Sequence, residues 1–205
     1  MPDIDSILDE VPVIPVLVIA EVSDAVPIAK ALVDGGLRVL EVTLRTPAAL
    51  DALRAMKQVP GAIVGAGTVL NADQYREACD AGAEFVVSPG LTSGLAKAAS
   101  AGPAPLLPGV STTSDIMRAL DHGYTRLKYF PASIGGIPAL KAISAVFGEI
   151  RFCPTGGITL ETAPEWLALP SVACVGGSWI VPAGQVIDPE QIRVRALAAA
   201  ALDAN

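Results

Sequence analysis

Leu37-Arg38-Val39-Leu40-Glu41-Val42-Thr43 is an apolar, β-branched run with a single carboxylate in its middle. It has the composition of a buried strand, and a segment of helical spacing at 47–58 separates it from a second such run at 62–67. The same unit repeats outward in both directions. Strand-like runs fall at 13–19, 37–43, 62–67, 85–88, 106–109, 126–130, 151–155 and 172–176, eight in all, after a short leading helix at 3–10. Helical segments at 24–34, 47–58, 73–81, 114–121, 138–146 and 189–204 lie between or after them. Gly35-Gly36 and Gly82 stand where a helix would end in a left-handed cap, and Thr46-Pro47 and Asp188-Pro189 each place a capping side chain before a proline at the first helical position.

Eight βα units with no linker predict one α/β domain over 1–205: a (β/α)8 TIM barrel with a short N-terminal helix. The alternative is an open doubly wound sheet. That fold has a glycine-rich loop after its first strand, whereas Ile19-Ala20-Glu21-Val22 contains no glycine.

Composition bounds the function. An apolar content of 52% over 205 residues excludes disorder, and a net charge of −7 without a long basic run removes the usual electrostatic source of nucleic-acid or acidic-membrane affinity. An anionic small substrate is compatible with it. The apolar stretch 11–20 holds two prolines and is too short to span a bilayer. His122 is the only histidine, and Cys79, Cys153 and Cys174 are scattered, which excludes a zinc site with several histidine ligands. His122, followed by Gly123, reads as a helix C-terminal residue. An odd cysteine count and an acidic opening, Met1-Pro2-Asp3, predict reduced thiols and a cytoplasmic protein.

In a barrel the strands are the interior, so an ionisable side chain inside one needs a reason. Lys30, Lys57, Lys97 and Lys141 lie in helical segments, and only Lys128 is within a strand. Among 21 carboxylates only Glu41 is well inside one, Glu84 standing at a strand entrance. Alternation puts Val39, Glu41 and Thr43 on one face, and Arg126, Lys128 and Phe130 on one face of the sixth strand. The second and sixth strands of an eight-stranded barrel oppose each other. If both polar faces point inward, Lys128 and Glu41 meet near the carboxyl-end mouth, either as a structural ion pair or as a reactive one. Burial disfavours a cation, a neutral amine attacks a ketone or aldehyde to form a Schiff base, and Glu41 would shuttle the protons.

Two glycine pairs follow the last two strands, in Pro154-Thr155-Gly156-Gly157-Ile158 and Val175-Gly176-Gly177-Ser178-Trp179. Each alone is a tight turn; at successive strand ends they fit a phosphate cradle of backbone N–H groups with the Ser178 hydroxyl. Gly65-Ala66-Gly67-Thr68 is a third mouth loop, and Leu70 breaks any dinucleotide fingerprint there.

Six segments resemble those of the 2-keto-3-deoxy-6-phosphogluconate (KDPG) aldolase family, in order and over nearly the whole chain. They are Arg38 to Thr46, Gly65 to Leu70, Ser88-Pro89-Gly90-Leu91, Lys128-Tyr129-Phe130-Pro131-Ala132, Arg151 to Ile158 and Gly176-Gly177-Ser178-Trp179. The resemblance implies a homotrimeric (β/α)8 barrel that cleaves KDPG to pyruvate and glyceraldehyde 3-phosphate, with no metal or other cofactor. It implies Lys128 as Schiff-base lysine and Glu41 as general acid–base, Arg45 and Thr68 on the pyruvyl carboxylate, and Pro89 and Phe130 beside the imine. Gly156, Gly157, Gly176, Gly177 and Ser178 would hold the phosphate. Because the lysine engages only the pyruvyl half, 4-hydroxy-2-oxoglutarate falls within the same chemistry. Family members carry a glutamate shortly after the Phe-Pro, whereas Pro131-Ala132-Ser133-Ile134-Gly135-Gly136 has none and is one residue shorter, which bears on the aldehyde half of the site. Three alternatives stay open: the phosphogalactonate epimer as substrate, a phosphate-binding barrel enzyme of another reaction type, and a non-catalytic barrel.

Overall fold

In a computed structural model residues 3–202 are described. The elements run α1 (Ile4–Leu8), β1 (Val13–Leu17), α2 (Val22–Asp34), β2 (Val39–Thr43), α3 (Ala49–Met56), β3 (Ile63–Gly67), α4 (Ala72–Asp80), β4 (Val86–Val87) and α5 (Ser93–Ala101). They continue with β5 (Leu106–Leu107), β6 (Gly109–Val110), α6 (Thr113–Asp121), β7 (Arg126–Tyr129), α7 (Ala132–Val146), β8 (Arg151–Pro154), α8 (Ala163–Leu167), β9 (Val175–Gly177) and α9 (Pro189–Ala200). Every strand pairing is parallel. Six strands are ordered β5-β4-β3-β2-β1-β9 and three β6-β7-β8, with parallel bridges Phe152 to Val172 and Thr155 to Gly176 between the second group and the β9 segment. Strands successive in the chain are neighbours from β1 to β5 and from β6 to β8, and β9 pairs with β1.

Each of the eight expected runs overlaps a strand, and the fifth overlaps two, β6 and β9 each reaching one residue past the expected end. Pro108 divides it, having no N–H to give a ladder, while its carbonyl accepts from the Lys128 N–H at 2.9 Å. α5 and α8 lie outside the six helical segments read from the sequence. α5 is diluted by Ser93 and Gly94, and α8 is a short helix opened by proline. α7 starts at Ala132, earlier than 138, because helical turns on either side of Gly136 (φ 63°, ψ −172°) follow one another across a kink. The last residues of the 189–204 segment lie outside the described region.

The caps divide in the same way. Gly36 and Gly82 take the left-handed conformation (φ 89° and 92°), and His122 caps α6 before Gly123 at φ 81°. Asp188 accepts from the N–H groups of Glu190 and Gln191 ahead of Pro189. Thr46 does not cap α3: its hydroxyl donates to the Ile19 carbonyl at 2.5 Å, across to the end of the first unit, and the helix begins at Ala49. A tertiary partner has replaced the local one.

Register sorts the strand faces. Val16, Glu41 and Gly65 are ladder neighbours, as are Gly109, Lys128 and Cys153, and parallel neighbours point the same way. The opposite faces carry Leu40, Val64 and Leu127, buried in one core with Ile28, Leu32 and Leu53 from the helices. α1 sits at the amino ends of the strands: Asp5 pairs with Arg126 at the start of β7, and Glu10 with Arg38 just before β2 at 2.9 Å. Its Ile7 and Leu8 are buried in the common core. Ile7→Ala should cost about 2–5 kcal/mol in urea unfolding through the cavity it leaves; an unchanged midpoint would mean that α1 does not seal this end.

Candidate active site

β7 reads Arg126-Leu127-Lys128-Tyr129, and alternation sends its two cations along one face to different fates. Arg126, at the amino end, reaches Asp5. Lys128, two residues on, is 6% exposed, and its Nζ donates to Glu41 Oε1 at 3.2 Å; Glu41 is 3% exposed. Among the described residues these are the only buried charged side chains. The predicted convergence across 87 residues of sequence is therefore present. Two charges withdrawn from water are tolerable because each is the other's partner, and the Phe130 ring, with its centroid 5.3 Å from Nζ, gives the cation a second favourable contact.

The remaining residues lie just beyond strand ends at the same side. Arg45 follows β2 and Thr68 follows β3, and Arg45 Nε donates to Thr68 Oγ1 at 3.3 Å. Thr68 has φ 58°, the one non-glycine residue with positive φ among those described. A β-branched residue held in the left-handed region is strained by roughly 1–3 kcal/mol and marks a place where the surroundings dictate conformation. Pro89 stands against the strand next to Lys128: a Cβ on Gly109, the ladder partner of Lys128, would lie 2.3 Å from the Pro89 carbonyl.

The two glycine pairs, both read as following a strand, differ from each other. Gly156 and Gly157 are a turn after β8, with φ 102° and 78°. Gly176 and Gly177 belong to β9 itself, and their lack of a side chain answers to space. A Cβ on Gly176 would lie 2.3 Å from Thr155 Oγ1, and one on Gly177 would lie 2.4 Å from the Trp179 indole. The Thr155 to Gly176 bridge joins the two pairs, and exposed Ser178 follows. The Ser133 N–H at the start of α7 donates to the Gly156 carbonyl at 3.1 Å.

Two residues of the site do not stand out individually in the sequence. Thr155 is buried, with its hydroxyl against Gly176 and 3.9 Å from Cys153 Sγ. Its signal is a hydroxyl directly before a glycine pair. Gly67 reads only as the end of a strand run and the start of a mouth loop; it is the last residue of β3 and lies against the Glu41 carboxyl. Of the interior cysteines, Cys174 competes poorly as a nucleophile. A hydrogen bond with Cys153, then burial, pushes the Cys174 thiol well above its ordinary range. Among the described residues no group of three or more His, Cys, Asp or Glu side chains could hold a metal ion. A surface groove of about 720 Å³ beside α4 and α5, lined by Tyr75, Cys79 and Lys97, is lined by none of these site residues.

Fold and pair together define a class: parallel α/β proteins with a buried lysine paired to a carboxylate in the interior. The family model described as KDPG and KHG aldolase matches residues 4–197, and the chain belongs to that family; it is an aldolase, a carbon–carbon lyase. The 2-dehydro-3-deoxy-phosphogluconate aldolase of Zymomonas mobilis is 59% identical over 199 residues, covering 97% of this chain and 94% of that one. A crystal structure of the Z. mobilis KDPG aldolase with 3-phosphoglycerate superposes with a TM-score of 0.96 at 58% identity, covering 98% of this chain and 97% of that one. The KDPG aldolase of Legionella pneumophila, solved with pyruvate captured at low pH as a covalent carbinolamine intermediate, gives a TM-score of 0.93 at 47% identity over 96% and 97% of the two chains.

Lys128→Met should lower stability by about 3–5 kcal/mol in urea unfolding at neutral pH, since it strands the Glu41 carboxylate without a partner. Lys128→Met/Glu41→Gln should recover most of that loss, and a double variant no more stable than the single would contradict the coupling.

Proposed function

We propose that the chain is a class I aldolase that cleaves KDPG to pyruvate and glyceraldehyde 3-phosphate, with 4-hydroxy-2-oxoglutarate as a second substrate of the same pyruvyl chemistry. The observation that carries this reading is the buried 3.2 Å contact between Lys128 and Glu41. Lys128 passes a proton to Glu41 and its free amine attacks C2 of the ketone. Glu41 returns the proton to the carbinolamine oxygen, water departs, and a protonated imine remains. With the imine as electron sink, the Glu41 carboxylate takes the C4 hydroxyl proton, which it later gives to C3 of the enamine, the C3–C4 bond breaks and the aldehyde leaves. Protonation of the enamine at C3 and hydrolysis of the imine free pyruvate and restore Lys128.

In this reading Arg45 and the strained Thr68 hold the pyruvyl carboxylate, and Pro89 and Phe130 wall the reacting carbons. The phosphate lies on the Gly156-Gly157 turn, Gly176, Gly177 and Ser178. Support for the cradle comes from the bridge that brings both pairs together and from the left-handed turn, whose N–H groups can face an anion. The high identity to gluconate-type relatives favours KDPG over its galactonate epimer. We further propose that the sheet closes as a (β/α)8 barrel, β8 against β9 on one side and β5 running into β6 on the other, in one domain. The bridges at Thr155 and Phe152 and the continuity through Pro108 support closure. The protein is proposed to act in the cytoplasm as a homotrimer without a metal; no helix among the described residues is long and apolar enough to cross a membrane, and Met117 and Leu120 on α6 are exposed apolar side chains that assembly could cover.

Pyruvate release from KDPG, followed with a coupled dehydrogenase, tests the reading. Glu41→Gln should slow turnover by about 10²–10⁴-fold with the fold retained; an unchanged rate would remove Glu41 from the mechanism. Exhaustive EDTA treatment should leave cleavage unchanged, and a loss restored by divalent cations would point to a metal-dependent reaction.

A further inference from the structure

β3 carries two glycines, Gly65 and Gly67, on the face it shares with Glu41 and Thr43: the ladder pairs Glu41 with Gly65 and Thr43 with Gly67. Both vacated positions are filled from neighbouring strands. The Phe85 ring lies 2.5 Å from where a Cβ on Gly65 would stand. At Gly67 the occupant is Glu41 itself, with Oε1 at 2.1 Å, Cγ at 2.6 Å and Cδ at 2.7 Å from the missing Cβ. Gly67 is not among the glycines with positive φ, so its backbone would accept any residue. What the position demands is space.

That space is the path by which Glu41 reaches Lys128. The atom closest to the missing Cβ, Oε1, is the atom that accepts from Lys128 Nζ. Contacts under 3.0 Å are essentially never found for real Cβ atoms, so an alanine here would drive Oε1 away by roughly 1 Å or more. The Glu41 side chain is flexible and can swing aside, so the fold can absorb the methyl group. The pairing geometry cannot, because a proton transfer needs donor and acceptor within hydrogen-bond reach.

We propose that Gly67 is a positioning residue for the aldol reaction, holding open the niche in which the Glu41 carboxylate lies against Lys128. The assignment rests on the proposed role of that pair. Gly67 has no side chain to offer the reaction and acts through Glu41, so substitution should lower kcat and spare KM.

The test is Gly67→Ala, assayed for pyruvate release from KDPG alone and combined with Glu41→Gln. The expected result is a kcat loss of about a hundredfold or more with KM within about threefold of wild type. Gly67→Ala/Glu41→Gln should be no slower than Glu41→Gln alone, since both changes remove the same function. Losses that multiply, or a Gly67→Ala enzyme within about threefold of wild type while Glu41→Gln is slow, would overturn the Gly67 assignment and leave the aldolase reading intact. Glu41→Gln at wild-type rate would overturn the Gly67 assignment together with the role of Glu41 on which it rests. Should Gly67→Ala unfold too readily to assay, Gly67→Ala/Glu41→Ala decides by thermal melting. Trimming Glu41 makes room for the methyl group but strands Lys128, so the reference is Glu41→Ala alone: the double variant should melt close to it, and a further drop as large as Gly67→Ala causes in the wild-type protein would count against the niche.

Discussion

The buried contact between Lys128 and Glu41 is the constraint around which the rest of the molecule is arranged. Placing an ammonium and a carboxylate where water cannot reach them costs several kcal/mol per ion, and only close pairing offsets it. Neither β2 nor β7 can supply that pairing alone, because the partners are 87 residues apart. The parallel α/β topology supplies it by turning the inward faces of both strands toward one interior, with α1 seated at the amino ends. The carboxyl ends remain for the chain segments that bear Arg45, Thr68, Pro89, Phe130, Gly156 and Ser178.

Around the pair, the residues beside it are shaped more by exclusion than by attraction. Gly67 leaves room for Glu41, Gly176 for Thr155 and Gly177 for Trp179, each with a missing Cβ whose place a neighbour takes. Thr68 shows the reverse situation, a β-branched residue kept at φ 58° with its hydroxyl accepting from Arg45. Strain and vacancy are both tolerated where a neighbouring side chain gains its position by them. The segment from Ala132 to Gly136 follows the same logic with a different outcome. Instead of a free loop it forms the first turns of α7 before the Gly136 kink, anchors its Ser133 N–H on Gly156, and leaves Ile134 82% exposed.

Much of this is legible in the amino-acid sequence, and the boundary is physical. A strand run announces itself by composition, and a charge inside such a run is conspicuous because burial is costly, so Glu41 and Lys128 can be singled out one at a time. Asp188 and Gly36 are legible as caps because their partners lie within a few residues. Thr46 is not, because its hydroxyl finds the Ile19 carbonyl 27 residues away. Pro108 stands inside a single apolar run, and only the ladder shows that it separates β5 from β6. The glycine pairs look alike as letters, yet one is a left-handed turn and the other a strand whose faces are occupied by Thr155 and Trp179. Gly67 eludes a reading of the sequence for the same reason: its meaning lies in the side chain of the adjacent strand.

The central claim is that Lys128, held against Glu41, is the amine that bonds to the substrate ketone. Incubation with pyruvate and borohydride, followed by tandem mass spectrometry of the digested protein, tests it most directly. A single reduced pyruvyl adduct on Lys128 is the predicted result. No adduct, or one carried by Lys30, Lys57, Lys97 or Lys141 instead, would contradict the account.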